Sequence, residues 1–109
     1  MYKASQIASI IKAKTTAPKT DVLVEHLLLD SRKLLFPATS IFFALDGPRR
    51  AGSLFIPELY DKGVRCFVVA ADFPETEIKR YKGAFFFQVQ DVLQALQSLT
   101  AHHRLQFRL

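Results

Sequence analysis

The sequence predicts one small α/β domain: a central, mostly parallel sheet flanked by helices. Three observations carry this. Four apolar runs, at 22–29, 41–45, 66–70 and 85–89, are rich in Val, Ile, Leu and Phe and are as short as strands. Their hydrophobicity is near-continuous instead of alternating, the pattern of strands covered on both faces. Helical segments lie between and around them, which gives the element order of an α/β chain, with right-handed crossovers expected between parallel strands. The 109 residues fit one domain, so 1–109 is read as a single unit.

The first element is a helix over 6–13, with Ile7, Ile10 and Ile11 at helical spacing. Ser5 is a plausible N-cap, because its hydroxyl can accept from a free backbone N–H. The stretch TTAPKTD then reads as a turn or loop punctuated by Pro18. The run 22–29 is the first strand and ends at Asp30; the run 41–45 is the second, apolar on both faces and therefore central. A short helix over 56–62 tolerates Pro57 in its first turn, where the missing N–H is not needed. Gly63 follows as its C′ residue. After the third strand, ADFPETEIKRYKGA is a polar connection with room for one helical turn. The fourth strand leads to Asp91, the N-cap of a longer helix with Gln94 in capping-box position. That helix reaches Gln106 and places Val92, Leu93, Leu96, Leu99 and His103 on one face.

Composition narrows the function. Half of the residues are hydrophobic and 23% are charged, as in a globular chain and unlike a disordered one. Ten Phe and no Trp indicate a core packed with phenyl rings. The single Cys66 excludes an internal disulfide and a cysteine-based zinc cluster, and its apolar neighbours read as those of a buried thiol. The N-terminus lacks a signal-peptide pattern, and no run approaches the roughly 20 apolar residues of a membrane span. A soluble, cytoplasmic protein is expected. The net charge of +5 favours an anionic partner, whether nucleic acid, a phosphate-bearing small molecule or an acidic domain.

Several chemistries find no support. His102 and His103 are adjacent on a helix and point apart, and His26 lies far away in sequence, so the histidines do not form a metal site. There is no G-x-S-x-G. The four glycines, Gly47, Gly52, Gly63 and Gly83, do not form a phosphate-cradling P-loop. Asp72, Glu75 and Glu77 cluster beside Lys79 and Arg80 and read as a solvated charged surface.

What packing does not explain is how the first two strands end. Asp30-Ser31-Arg32 follows one and Asp46-Gly47-Pro48-Arg49-Arg50 follows the other. Ligands of open α/β sheets sit beyond the carboxyl ends of the strands. If the two strands are neighbours, a hydroxyl, backbone N–H groups and up to three guanidinium groups share one rim. Arg suits planar, bidentate contact with phosphate. The alternative is structural: Ser31 caps a turn, Arg32 pairs with Asp30 or Asp46, and Arg49 and Arg50 are solvated.

The stretch LLLDSRKLLFPATSIFFALDGPRRAGSLFIPELYDKGVRCFVV, residues 27–69, resembles the N-terminal domain of the Mur ligases, the ATP-dependent amide ligases of peptidoglycan synthesis. That family's pattern is a strand, Asp-Ser-Arg, a turn and Leu-Phe-x-Ala-Leu-x-Gly, then Asp-Gly-His, Phe-Ile, a helix ending in Gly-Val or Gly-Ala, and an apolar strand. The matching residues are Asp30-Ser31-Arg32, Ile41-Phe42-Phe43-Ala44-Leu45, Gly47, Gly52, Phe55-Ile56 and Gly63-Val64. More loosely, YKASQIASII is similar to the family's opening helix and DVLQALQSLTAHHRLQF to its closing one. Among the subfamilies the chain is most similar to the D-alanyl-D-alanine-adding ligase, and DSRKL with FFAL and GPRR further resembles the form fused to an alanine racemase.

The resemblance implies a domain that holds the uridine diphosphate end of a UDP-N-acetylmuramoyl-peptide and performs no bond chemistry. It implies a role in cell-wall biogenesis, cell shape and division. Ser31 and Arg32 would contact the nucleotide; Gly47, Arg49 and Arg50 would approach the ribose and diphosphate, with Asp30, Asp46 and Ser53 in support. The chain departs from the family at Ala51 and Ser53, where Asp and His are common around Gly52, and Arg49 and Arg50 can substitute electrostatically. ATP and Mg2+ would belong to a central domain of a longer chain, which implies that the chain is a fragment and accounts for the missing P-loop. No nucleic-acid or membrane partner is implied. The competing readings are a basic α/β module for nucleic acid, which calls for exposed aromatic residues among basic ones, and a structural interaction module.

Overall fold

The computed structural model describes residues 2–16, 23–28, 36–45 and 52–106. The elements run β1 (Tyr2–Lys3), α1 (Ala4–Ile11), β2 (Lys14–Thr16), β3 (Leu23–Val24), β4 (His26–Leu28) and β5 (Ser40–Phe43). They continue with α2 (Ile56–Asp61), β6 (Cys66–Ala70), α3 (Glu75–Ile78), β7 (Phe85–Val89) and α4 (Val92–Gln106). Short 3-10 turns, Pro37–Thr39 and Gly52–Phe55, precede β5 and α2. The main sheet has the order β2-β7-β6-β5-β4. Strands β4 to β7 pair in parallel, and β2 closes the β7 side antiparallel. β1 and β3 form a separate antiparallel pair.

The near-continuous apolar runs are strands buried on both faces, as their pattern requires. Side chains alternate across the sheet into two cores. Ile41, Phe43, Cys66, Val68, Phe85 and Phe87 pack with Ala4, Ile7 and Ile11 of α1 and Ala95 and Leu99 of α4. Phe42, Phe67, Val69 and Phe86 pack with Ile56 and Leu59 of α2 and Ile78 of α3. The register aligns Phe42, Phe67 and Phe86 in one row across three strands, with Phe67 and Phe86 stacked at 5.3 Å. On the other face the corresponding row is Phe43, Val68 and Phe87. Five of the ten Phe therefore lie in two cross-strand rows, each under its own helical layer.

Local signals set the element ends. Asp91 caps α4: the N–H of Gln94 donates to its Oδ1 at 3.2 Å. Gly63 takes φ +108 at the end of α2, and its N–H donates to the carbonyl of Tyr60. Few residues other than glycine adopt that backbone. Helix α3 supplies the single turn expected in the polar connection.

Four sequence expectations need correction. Helix α1 starts at Ala4, and the Lys3 N–H donates to Gln6 Oε1 at 2.8 Å, so Gln6 rather than Ser5 secures the first turn. The run 22–29 is broken: β3 pairs with β1, the Glu25 N–H turns to the carbonyl of Thr39, and only β4 joins the main sheet. Within TTAPKTD, Thr15 and Thr16 belong to β2, a strand held by pairing with β7. On α4, Leu93 is 52% exposed and Ala95 occupies the core instead, because the inward face runs through 92, 95, 96 and 99.

One topological feature bears on ligand binding. The chain leaves β5 for α2 and β6 for α3, on the same face of the sheet; it leaves β7 for α4, on the opposite face. The exits of the adjacent strands β6 and β7 therefore part.

Candidate functional site at the carboxyl edge of the sheet

β4 and β5 are neighbours and parallel, with Leu27 opposite Ile41 and Leu28 opposite Phe42. Parallel neighbours lie about 4.8 Å apart, so Leu28 and Leu45, the last described residues of the two strand exits, are on one edge of the sheet. This is the adjacency that the shared-rim reading requires. The far side of the first exit is anchored: Ser40 Oγ donates to the carbonyl of Phe36 at 2.7 Å, and the Phe36 ring stacks on His26 at 4.8 Å. Ser40 is buried and lies opposite His26 in the register, so residue 36 is tied to both strands.

Asp30, Ser31, Arg32, Asp46, Gly47, Arg49 and Arg50 lie outside the described residues. Ser53 belongs to the 3-10 turn Gly52–Phe55, which leads into α2.

At the other end of the same edge is a groove of about 420 Å³ that sequence reasoning missed. Its walls include Lys12, Lys14, Phe73, Glu75, Gln88 and Gln90. Lys12 is the C-cap of α1 with φ 54, and Lys14 pairs opposite Gln88. Gln88 Nε2 donates to the carbonyls of Ala71 and Phe73 at 3.4 and 3.2 Å, which fastens the exit of β6 to β7. The available signal was Lys12-Ala13-Lys14, two cations closing an apolar helix; only the pairing of β2 gives them a place.

The amino edge carries a structural cluster. The Arg65 guanidinium lies 4.0 Å from the centre of the Tyr60 ring and donates to the carbonyls of Tyr60 and Val64. Tyr60 Oη donates to the carbonyl of Lys82. Burial, then the Glu77 carboxylate, pushes the Tyr81 phenol above its ordinary value, against the opposing pull of Arg80. Glu77 pairs with Arg80 at 3.3 Å, and Asp72 and Glu75 are exposed, in keeping with a solvated surface. Among the described residues no three potential metal ligands gather and no helix is long and apolar enough to cross a membrane. Cys66 is buried, as expected.

A five-stranded, mostly parallel sheet between two helical layers defines a small α/β domain, and solved structures share its arrangement. One is the UDP-N-acetylmuramoylalanyl-D-glutamyl-2,6-diaminopimelate–D-alanyl-D-alanyl ligase from Acinetobacter baumannii, matched with a TM-score of 0.73 and 23% identity over 94% of this chain. A crystal structure of MurF from Acinetobacter baumannii matches with the same TM-score, identity and coverage. The chain thus has a fold found within a Mur ligase, as its sequence resemblance implied, and spans 21% of the length of those ligase chains. Neither a protein-family model nor a curated protein matches the sequence.

Proposed function

We propose that this chain is the substrate-anchoring domain, residues 1–109, of an ATP-dependent ligase that adds D-alanyl-D-alanine in peptidoglycan synthesis. It holds the UDP end of a UDP-N-acetylmuramoyl-peptide. The observation that supports the reading is the parallel adjacency of β4 and β5, the two described strands that come before Ser31–Arg32 and Gly47–Arg50 in the chain. Guanidinium groups of Arg32, Arg49 and Arg50 suit a diphosphate, which they can grip by paired N–H bonds. The Ser31 hydroxyl supplies a neutral hydrogen bond. Asp30, Asp46 and Ser53 support the loops.

The domain's contribution is positional. Binding energy gathered at the nucleotide, far from the reacting carboxyl, holds the peptide end in place for chemistry elsewhere. That chemistry, with its ATP and Mg2+, belongs to a central domain of the parent chain, the covalent partner of this one. The setting is the cytoplasm, without nucleic acid or membrane. The nucleic-acid reading has less support: it calls for exposed aromatic side chains among basic ones, whereas Phe42, Phe43, Phe67, Phe86 and Phe87 are core residues and the exposed Phe36 stacks on His26.

The test is a titration followed by amide chemical shifts. UDP at millimolar concentration is expected to move residues 30–32 and 47–50, and uridine to leave them in place. ATP turnover by the pure chain is expected to be undetectable. If UDP moves no resonance while oligonucleotides do, the nucleic-acid reading replaces this one.

A further inference from the structure

The groove beside β7 stands where the exits of two neighbouring strands part. The exit of β6 runs to α3 on one face and the exit of β7 to α4 on the other. Ligand crevices of open α/β sheets form where neighbouring exits part in this way, outside the carboxyl ends of the strands. The exits of β5 and β6 go to the same face, so this argument selects the β6–β7 end and is independent of the reading given to the β4–β5 rim.

The lining indicates a ligand class. Lys12 at the end of α1 and Lys14 on β2 bring two cationic side chains to the lining, suited to a dianion such as phosphate. Glu75, Gln88 and Gln90 also line the groove and carry acceptors for hydroxyl groups. The Glu75 carboxylate disfavours a phosphate beside it, which leaves that part of the groove to neutral hydroxyls. Phe73, stacked on Phe86 at 5.6 Å, supplies a fixed apolar wall. The volume of about 420 Å³ is far larger than a bare phosphate needs and lies within the roughly 300–1,000 Å³ typical of small-molecule sites.

We infer that this crevice is a second ligand site, for a small phosphorylated polyol such as a sugar phosphate. The phosphate rests on Lys12 and Lys14, and the hydroxyls face Glu75 and Gln88. Ribose 5-phosphate is the probe. It is expected to give saturable amide shifts at 12–14, 71–75 and 88–90, a set of residues distinct from those expected to report on UDP. The double variant Lys12→Asn, Lys14→Gln is expected to weaken this binding at least tenfold; Asn tolerates the left-handed backbone at 12. Lys14→Arg is expected to retain it. Glu75→Ala is expected to weaken ribose 5-phosphate but not inorganic phosphate. Absence of saturable shifts in this region overturns the inference, as does equal affinity in the double variant. Inorganic phosphate binding as tightly as ribose 5-phosphate would mean an adventitious ion only, and also overturns it. The outcome at 30–32 and 47–50 has no bearing on these results.

Discussion

Phe67→Ala tests the two-faced sheet most directly. Phe67 is 0% exposed, lies on the central strand of the phenyl row between Phe42 and Phe86, and stacks on Phe86 at 5.3 Å. Truncating a fully buried Phe costs about 3–5 kcal/mol, from lost transfer energy and the cavity left behind. About 0.5–1.5 kcal/mol of that loss reflects the ring pair itself. Collapse into the cavity is restricted because both flanking strands present phenyl rings held from above by Ile56, Leu59 and Ile78. The upper half of the range therefore applies, about 4 kcal/mol against a total of about 5–15 kcal/mol for a domain. In urea, with a slope of about 2 kcal/mol per molar, the midpoint should fall by about 2 M. Circular dichroism and tyrosine fluorescence should report one transition. Phe67→Leu should cost about 2 kcal/mol, since three carbons are lost instead of six. The control is Leu54→Ala at a side chain 73% exposed, which should stay within about 0.5 kcal/mol of the parent. If Phe67→Ala costs less than about 1 kcal/mol, or no more than Leu54→Ala, the α2–α3 layer does not cover this face and the reasoning fails.

Three further outcomes are expected. Asp91→Ala removes the acceptor for the Gln94 N–H and should cost about 1 kcal/mol in the same urea assay, with Asp91→Asn retaining most of it. The Tyr81 phenol is neutral in the fold to a higher pH than in the unfolded chain, so its contribution to stability is full below the ordinary tyrosine value and is lost as pH rises through the raised one. Glu77→Gln should lower that titration, read as the phenolate absorbance difference between each chain and its Tyr81→Phe counterpart; an unchanged titration refutes the electrostatic part. If the proposed anchoring role is right, Ser31→Ala should weaken UDP binding by about 0.5–1.5 kcal/mol and Arg32→Ala by about 1.5–3 kcal/mol, the usual scale of neutral and charged hydrogen bonds, measured by calorimetry. Equal, negligible effects would favour a purely structural turn.

The parts of the fold that could be read from sequence are those in which one segment carries its own instruction. The runs at 41–45, 66–70 and 85–89 have no polar face, so each demanded cover on both sides, and each is an inner strand. Asp91 and Gly63 act within one helical turn of themselves, through a side-chain acceptor and a positive φ, and both were legible. Asp30-Ser31-Arg32 and Gly47-Pro48-Arg49-Arg50 could be singled out because their chemistry exceeds what a turn needs. That the strands before them are neighbours rests on β4 pairing with β5, which hydrophobicity does not encode.

Two of the misses, the strand at 14–16 and the break at Glu25, share a cause, and it links the missed strand to the missed groove. Lys14-Thr15-Thr16 has no apolar face, and its residues belong in a strand only because β7 offers an open antiparallel edge. Glu25 likewise divides an apolar run because the Thr39 carbonyl, fourteen residues away by sequence number, takes its N–H. These are non-local hydrogen bonds, and their formation is decided by the assembled sheet more than by the propensity of the segment. Without β2, Lys14 is one more surface cation. With β2 in place, Lys14 stands opposite Gln88, Lys12 caps the adjoining helix, and the two cations border the point where the β6 and β7 exits separate. A groove bordered by paired polar edges leaves no apolar signature in sequence, whereas the segments at 30–32 and 46–50 stand out because they interrupt conspicuous apolar runs.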